Sequence, residues 1–473
     1  EYSTILPDNF NYAFSVQGNL PFFAISSDSV SKEMWNGRGN IEVMLYTKRW
    51  SMKDVPPLKK EPFVYDPDSY KSKISFQLSI YPLSYLRSQS VLRTWQQFSH
   101  WLLIDKNFAG LGMDTLWIKI AVNEIVSKAS DSLDAARRIF AYVRDSFRCT
   151  ENDWTSNDLQ AVYDNKEGTD GEINTLLLAM LRKFGFRANP VLLSTRSNGL
   201  LNPKYPIYDR INYIVIQLAI DKNLYYLDAS NRYHAFGKIP VDCYNGPAMV
   251  IDSMPYAVNF SADSIKENSM RTLFIYNSGK DSLEADCTYK PGFIESVDLR
   301  EWMAKNKSAE YFDEIGKSYL VPVNWKSQSM ENLQNKEESP SIHYTLNFSM
   351  ADKETVYFDP LIGQSKTKNP FFATSRKYPI QLDNSFNKAY VLDMEIPKGF
   401  QVVELPKSTK VQLNDGEGSF EYSITMADGH IQFRYKLSLN KAVFPADNYE
   451  DLRNFFTMVT KKESEVVVFK KTQ

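Results

Sequence analysis

Thr169-Asp-Gly-Glu-Ile-Asn-Thr-Leu-Leu-Leu-Ala-Met-Leu-Arg-Lys-Phe-Gly185 is the stretch on which the reading of this chain turns. Ile173, Leu176, Leu177, Met180, Leu181 and Phe184 put apolar side chains nearly all round a helix, so the segment is expected to be buried. Thr169 and Glu172 have the spacing of a capping box, in which each side chain bonds the other residue's backbone N–H. Gly185 follows the last apolar position and supplies a stop. A buried helix that opens on a polar turn presents unsatisfied N–H groups and a partial positive charge there. Asp170 lies in that turn, and the plainest reading of its carboxylate is a helix N-terminal acid.

Working outward, Pro190–Ser194, Ile211–Ile220 and Leu224–Asp228 read as strands, the last two joined through Asp221-Lys-Asn223 as a hairpin. Upstream, Leu133, Ala136, Ile139, Phe140 and Val143 recur at helical spacing behind Asp131 as N-cap. Trp95, Phe98, Leu102 and Leu103 mark an earlier helix. Before residue 90 the pattern is β. Ile74, Phe76, Leu78 and Ile80 alternate with polar residues, and Ile41–Trp50 is a second strand. The proline-rich stretch from Val55-Pro-Pro to Tyr65-Asp-Pro is expected as loop or edge. Beyond about residue 255 the chain is expected to return to β. Phe420/Tyr422/Ile424/Met426 and Ile431/Phe433/Tyr435/Leu437 flank Ala427-Asp-Gly-His430, a hairpin whose Asp-Gly pair suits a tight turn. Tyr390–Ile396 and Val466–Phe469 add strands, and the polar stretch Lys326–Ser339 reads as a linker.

The bulk numbers bound what such a chain does. At roughly 100–200 residues per domain, 473 residues suggest about three domains. A net charge of −2 with no basic block leaves no electrostatic footprint for nucleic acid or an anionic membrane. No apolar run approaches the roughly 20 residues needed to span a bilayer. The chain starts at Glu1 without a methionine, so removal of an N-terminal segment is expected. Cys149, Cys243 and Cys287 show no CxxC pairing, which argues against a disulfide framework and a zinc site. No cofactor or metal motif is expected. His100, His234, His343 and His430 are the four histidines, few for a hydrolase that needs one beside its nucleophile.

Gly168-Thr-Asp-Gly-Glu-Ile-Asn174 and the helix through Leu181 resemble the Gly-x-Cys-x-Asp stretch and buried helix of the transglutaminase-like branch of the papain-type cysteine protease superfamily. Phe186–Arg196 is similar to the strand and loop that follow, Ile211–Ile214 to the strand bearing the family's histidine, and Tyr226–Ser230 to the strand bearing its aspartate. Trp50–Glu61, with Asp54-Val-Pro-Pro-Leu-Lys-Lys-Glu61, resembles the end of an N-terminal β-domain of a bacterial subfamily. Asn369-Pro-Phe-Phe, Arg376–Pro379, Ile396–Gly399 and Glu404-Leu-Pro406 resemble its C-terminal β-domain. The resemblance implies an α+β multidomain protein. Its parts would be an N-terminal β-sandwich-like domain over 1–90, truncated at its start, a transglutaminase-like domain over 91–255, and a C-terminal β-sandwich-like domain over 256–473, with a subdivision near 326–340. It further implies a periplasmic or otherwise exported protein.

The Cys–His–Asp triad of that family falls on Asp170, Tyr213 and Asp228. A carboxylate cannot run the thiol acyl-transfer cycle, and a phenol stays protonated at neutral pH, so the site is expected to be inactive. Tyr213 is expected to bond Asp228 through its hydroxyl. The expected role is binding of a peptide, a protein or a cell-envelope polymer. The competing readings are an Asp170–Asp228 pair sharing a proton, a metal held by Asp170, Glu172 and Asp228, and a displaced nucleophile, Cys149 or a Cys243–His234 pair. Arg196 and Asn212 flank the same place; Arg196 reads as a surface ion pair or as a reader of a carboxylate or backbone carbonyl. Tyr244-Asn-Gly246 reads as a plain turn.

Overall fold

The computed structural model describes the chain except for residues 9–10, 19–20, 36–38, 85–86, 91–93, 106–107, 109–115, 156–157, 280–281, 320, 350–352, 365–367 and 473. It forms two compact units, Glu1–Ser230 with Asp242–Phe260, and Asn231–Val241 with Ser261–Gln473. Among the described residues no helix is long and apolar enough to cross a membrane.

The first unit begins with strands β1 (Tyr2–Pro7), β2 (Asn11–Gln17), β3 (Ala24–Trp35), β4 (Asn40–Ser51), β5 (Lys73–Ser84) and β6 (Arg87–Ser90). They make two antiparallel sheets, ordered β1-β4-β3 and β2-β5-β6. The sequence marked β4 and β5. Its proline-rich stretch between them is irregular, as expected. Helices follow: α1 (Trp95–Ile104), α2 (Leu116–Val126), α3 (Ser132–Ser146), then strand β7 (Arg148–Cys149), α4 (Leu159–Asn165), β8 (Glu167–Gly168) and α5 (Asp170–Phe184). Asp131 caps α3 by accepting from Asp134 N. The capping box on α5 is complete, and Gly185 ends the helix in the left-handed region at φ 108°. Ile173, Leu176, Leu177, Leu178, Met180 and Leu181 are all fully buried, which is what an apolar surface all round a helix requires.

Helix α5 packs on an antiparallel sheet of β9 (Arg187–Leu193), β10 (Tyr213–Ile220), β11 (Asn223–Leu227), β12 (Gly246–Val250) and β13 (Tyr256–Phe260), ordered β11-β10-β9-β12-β13. The β10–β11 hairpin turns through Asp221, whose φ is 52°. Asp228 thus stands one residue beyond β11, and Tyr213 opens β10.

In the second unit, β14 (Lys266–Asn277) and β15 (Ser282–Lys290) lead to α6 (Phe293–Met303) and α7 (Ser308–Lys317). Then come β16 (Asn324–Glu331), β17 (Ser341–Ser349), β18 (Thr355–Phe358), β19 (Ile380–Gln381), β20 (Ser385–Glu395), β21 (Phe400–Glu404), β22 (Thr409–Leu413), β23 (Gly418–Ala427), β24 (His430–Leu439), β25 (Val443–Phe444), α8 (Tyr449–Glu463) and β26 (Val467–Lys471). The main sheet is eight-stranded, β16-β17-β15-β14-β20-β24-β23-β22, with β14 and β20 parallel and the other neighbours antiparallel. The β23–β24 hairpin turns at Asp428 and Gly429, with φ 51° and 78°, as the Asp-Gly pair predicts.

Two expectations need correction. Lys326–Ser339 is not simply a linker, because its first half belongs to β16. That strand lies at the sheet edge and is exposed along most of its length, so its polar sequence carries no alternation. The region after residue 255 is also not β alone. Leu452, Phe455, Phe456 and Val459 line one buried face of α8 at helical spacing.

Candidate functional site

The polar groups around the start of α5 and the ends of β10 and β11 form a buried network. Asp228 is 0% exposed. Its Oδ1 accepts from Asn174 Nδ2 at 2.8 Å, Ser230 N at 3.0 Å and Ser230 Oγ at 2.7 Å. Its Oδ2 accepts from the Tyr213 hydroxyl at 3.0 Å. The expected Tyr213–Asp228 hydrogen bond is therefore present. Burial, then the nearby Asp228 charge, drives the Tyr213 phenol well above its usual range, so it acts as a fixed donor.

Asn174 is a residue that sequence reasoning missed. It lies one turn after Asp170 on α5, 0% exposed, and also donates to Ile214 O at 3.1 Å and accepts from Ala229 N at 2.9 Å. A lone amide in an otherwise apolar helix was the signal. A buried amide needs several partners, and this one staples the helix to both strands.

Asp170 is 1% exposed and stands outside that network. Its Oδ1 accepts from Asp153 N and Gly171 N, each at 2.8 Å, while Oδ2 is buried without a partner. Asp170 thus bonds neither Asp228 nor Tyr213, and the proton-sharing carboxylate pair is not assembled. Burial raises the Asp170 carboxyl to about 6, outweighing the two N–H bonds that favour its charge; the Asp228 charge adds to the rise. Glu172 does not face a metal with it, since Glu172 Oε2 closes the capping box on Thr169 N at 2.9 Å. Among the described residues no group of three His, Cys, Asp or Glu side chains is arranged to hold a metal.

A strap of backbone covers this helix end. Asp170 N donates to Glu151 O and Gly171 N to Asp153 O, each at 3.1 Å, and Thr169 Oγ1 donates to Asp153 O at 3.0 Å. Glu172 N donates to Thr169 Oγ1, and Ile173 N to Thr169 O. Gly171 permits the close approach, because a Cβ there would sit 2.4 Å from Asp153 O. Trp154 anchors the strap, 6% exposed, with its ring 5.5 Å from Tyr208 and 6.1 Å from Phe108. Every N–H group from Thr169 to Ile173 consequently has an acceptor inside the protein.

The cysteines are held as thiols. The parallel pairing of β7 and β8 sets Cys149 against Gly168, so a cysteine stands beside the start of α5. The helix end does not lower its pKa. Burial, followed by the charges of Asp170 and Asp228, raises Cys149 to about 11. Cys243 is fully buried and raised well above its usual value, by burial and then by Asp228. It belongs to the first unit, whereas His234 belongs to the second. His343 and His430 are also in the second unit, His343 with Thr288 and Ser341 and His430 with Asp393.

The flanking residues are structural. Arg196 is buried, not at the surface: it is 4% exposed, lies over the Tyr65 ring at 4.1 Å and donates to the backbone carbonyl Tyr244 O at 3.4 Å, the carbonyl-reading role among its expected ones. Asn212 ties Thr195 through its N at 2.8 Å and its hydroxyl at 2.7 Å. The turn at Asn245 does more than reverse the chain, since Asn245 Nδ2 donates to Ser194 O, Thr195 O and Gly199 O and holds that loop closed.

A buried helix with a polar start, laid on an antiparallel sheet whose strands bring a tyrosine and an aspartate together, is a transglutaminase-like arrangement. The comparisons agree. Residues 120–229 match the transglutaminase-like superfamily, and residues 354–469 match DUF3858, a domain of unknown function with solved structures. The chain is thus a mixed α+β protein with a central transglutaminase-like domain between strand-rich N- and C-terminal regions. A crystal structure from Parabacteroides distasonis named "putative protease" aligns over 99% of this chain and 71% of its own, with a TM-score of 0.58 and 14% identity, a likeness of fold. A "putative cysteine protease" from Cytophaga hutchinsonii aligns over 55% of this chain and 88% of its own, at 9% identity and a TM-score of 0.22. No curated protein matches significantly.

Proposed function

We propose that the transglutaminase-like domain is non-catalytic at its usual site, and that the chain is an exported protein that binds a peptide, a protein segment or an envelope polymer. One observation carries the first half. An acyl-transfer site at a helix end needs free N–H donors aimed at the developing oxyanion, and here each N–H from Thr169 to Ile173 already has a protein acceptor. Asp170 at the nucleophile position anchors the strap, and Tyr213 at the base position is a fixed donor to Asp228. The alternative of an amide hydrolase with a displaced nucleophile draws on Cys149 beside Gly168, but a thiol raised to about 11 supplies little thiolate.

The binding half draws on a cavity of about 1130 Å³ in the first unit, lined among others by Gln17, Lys73, Phe76, Leu200, Lys204 and Arg210. Lys73 and Lys204 make no ion pair with a described carboxylate, and with Arg210 they outnumber Asp209 on its wall. That balance suits an acidic segment. Fluorescence anisotropy with a fluorescein-labelled Glu-rich peptide tests it. Binding that falls at least about tenfold in the Lys73→Glu/Lys204→Glu variant supports the reading. Indifference to the double substitution, or an absence of binding, removes it.

A further inference from the structure

We propose that the second unit holds a separate binding site for the carboxylate of a small zwitterion, an amino acid or dipeptide, gripped by Arg271. The site is a cavity of about 430 Å³ beside β14 and β20, within the size range of small-molecule pockets. Sheet register fixes Arg271 there: it pairs with Tyr289 on β15 and Tyr390 on β20. Its guanidinium lies over the Tyr289 ring at 4.3 Å. Nη1 donates to Gly363 O at 3.0 Å and to the Tyr344 hydroxyl at 3.3 Å. Gly363 has φ 78°, and a Cβ there would come within 3.1 Å of the Tyr319 hydroxyl, so glycine allows this carbonyl to reach the arginine.

These contacts hold the plane of the guanidinium, and the Cys287 thiol lies within hydrogen-bonding reach of it. Nε is buried and has no acceptor, and Nη2 reaches no oxygen acceptor among the described residues. Among the described residues no carboxylate pairs with it. Its electrostatic neighbours are the Tyr289, Tyr319 and Tyr344 phenols and the Cys287 thiol, all neutral at physiological pH. An arginine cannot escape desolvation by giving up its proton, so an anion is the remaining remedy. Nη2, which has no oxygen acceptor among the described residues, is the donor left for a ligand carboxylate.

The rest of the wall narrows the ligand. Lys388 is exposed, lines the same cavity and has no carboxylate partner among the described residues. Glu295 and Glu314 also line it, Glu295 accepting from the Tyr289 hydroxyl and Glu314 pairing with Lys317. Two cations and two acids around one small space suit a ligand carrying both charges. Phosphate, with more negative charge and no ammonium, would face the glutamates unrelieved. The site lies wholly within the second unit and is independent of the reading given to the first.

Calorimetric titration of the full chain with L-alanyl-L-alanine, its C-terminal amide and inorganic phosphate tests the proposal. The dipeptide is expected to bind, with the amide weaker by at least about tenfold, since only the carboxylate brings the negative charge that pairs with the guanidinium. Arg271→Gln should abolish binding, and Lys388→Gln, at an exposed residue, should weaken it by about threefold. Equal binding of dipeptide and amide overturns the proposal, as does tighter binding of phosphate than of dipeptide, or no dipeptide binding up to ~10 mM. If Arg271→Gln fails to fold, the amide and the Lys388→Gln variant still decide the matter.

Discussion

Asp228 in the first unit and Arg271 in the second are charged groups set among largely buried neighbours, and the protein treats them in opposite ways. Asp228 accepts from Asn174, Ser230 and Tyr213, so both of its oxygens are occupied by protein donors. Arg271 bonds Gly363 O, the Tyr344 hydroxyl and the Cys287 thiol, none of them a charged partner, and leaves Nε buried with no acceptor. The Asp228 network lies in the motif-bearing region and has both carboxylate oxygens taken by protein donors. The second carries no motif and has capacity to spare. A motif records where chemistry sits in related folds; unused hydrogen-bonding capacity at a buried charge indicates where a ligand can be held now.

The contrast can be broken first at Asp228. Asp228→Ala should destabilise the first unit by about 3–5 kcal/mol in chemical denaturation, because the Asn174, Ser230 and Tyr213 donors lose their acceptor together. A loss under about 1 kcal/mol would mean that the network is not structural.

Asp170 gives the next effect, and its sign is fixed by the direction of the shift. Its folded pKa of about 6 lies above the ordinary 3.8, so the fold favours the protonated acid. That contribution is complete below 3.8 and is lost as pH rises through about 6. Relative to Asp170→Asn, which does not titrate, the wild type should lose up to about 3 kcal/mol between pH 3.5 and 7. A difference that is flat or rises with pH would contradict the buried, unpartnered Oδ2.

Cys149 should alkylate about a hundredfold more slowly than free cysteine at pH 7.5, reflecting its scarce thiolate. Rapid labelling would favour the displaced-nucleophile reading. Smallest is Tyr213→Phe, which removes one hydroxyl from Asp228 and Ser230 and should cost about 1 kcal/mol.

Much of the fold around the first site was legible because its signals are local. Thr169, Glu172 and Gly185 bound α5 through neighbouring residues, and Asp428-Gly429 turns the last long hairpin by its own φ angles. The Tyr213–Asp228 bond followed from a hairpin between them. The strap over Asp170 was not legible, since backbone carbonyls of Glu151 and Asp153 form it and no side-chain pattern announces a carbonyl. Gly171 was the one available hint, a glycine inside a helix where bulk is excluded. Helix α8 had the right spacing but sits among strands, and β16 lacks alternation because it is an edge. Arg271 was hidden for another reason: Tyr289, Gly363 and Tyr390 meet it only through sheet register and a distant loop.

The central claim is that the helix end at Asp170 is closed to catalysis, and turnover tests it most directly. Amide hydrolysis and acyl transfer would be measured on a mixed panel of glutamine- and lysine-containing peptides, with wild type beside Asp170→Asn. Both proteins are expected to remain at the uncatalysed background, since no N–H from Thr169 to Ile173 is left to receive an oxyanion. Turnover by the wild type that disappears in Asp170→Asn would contradict the account.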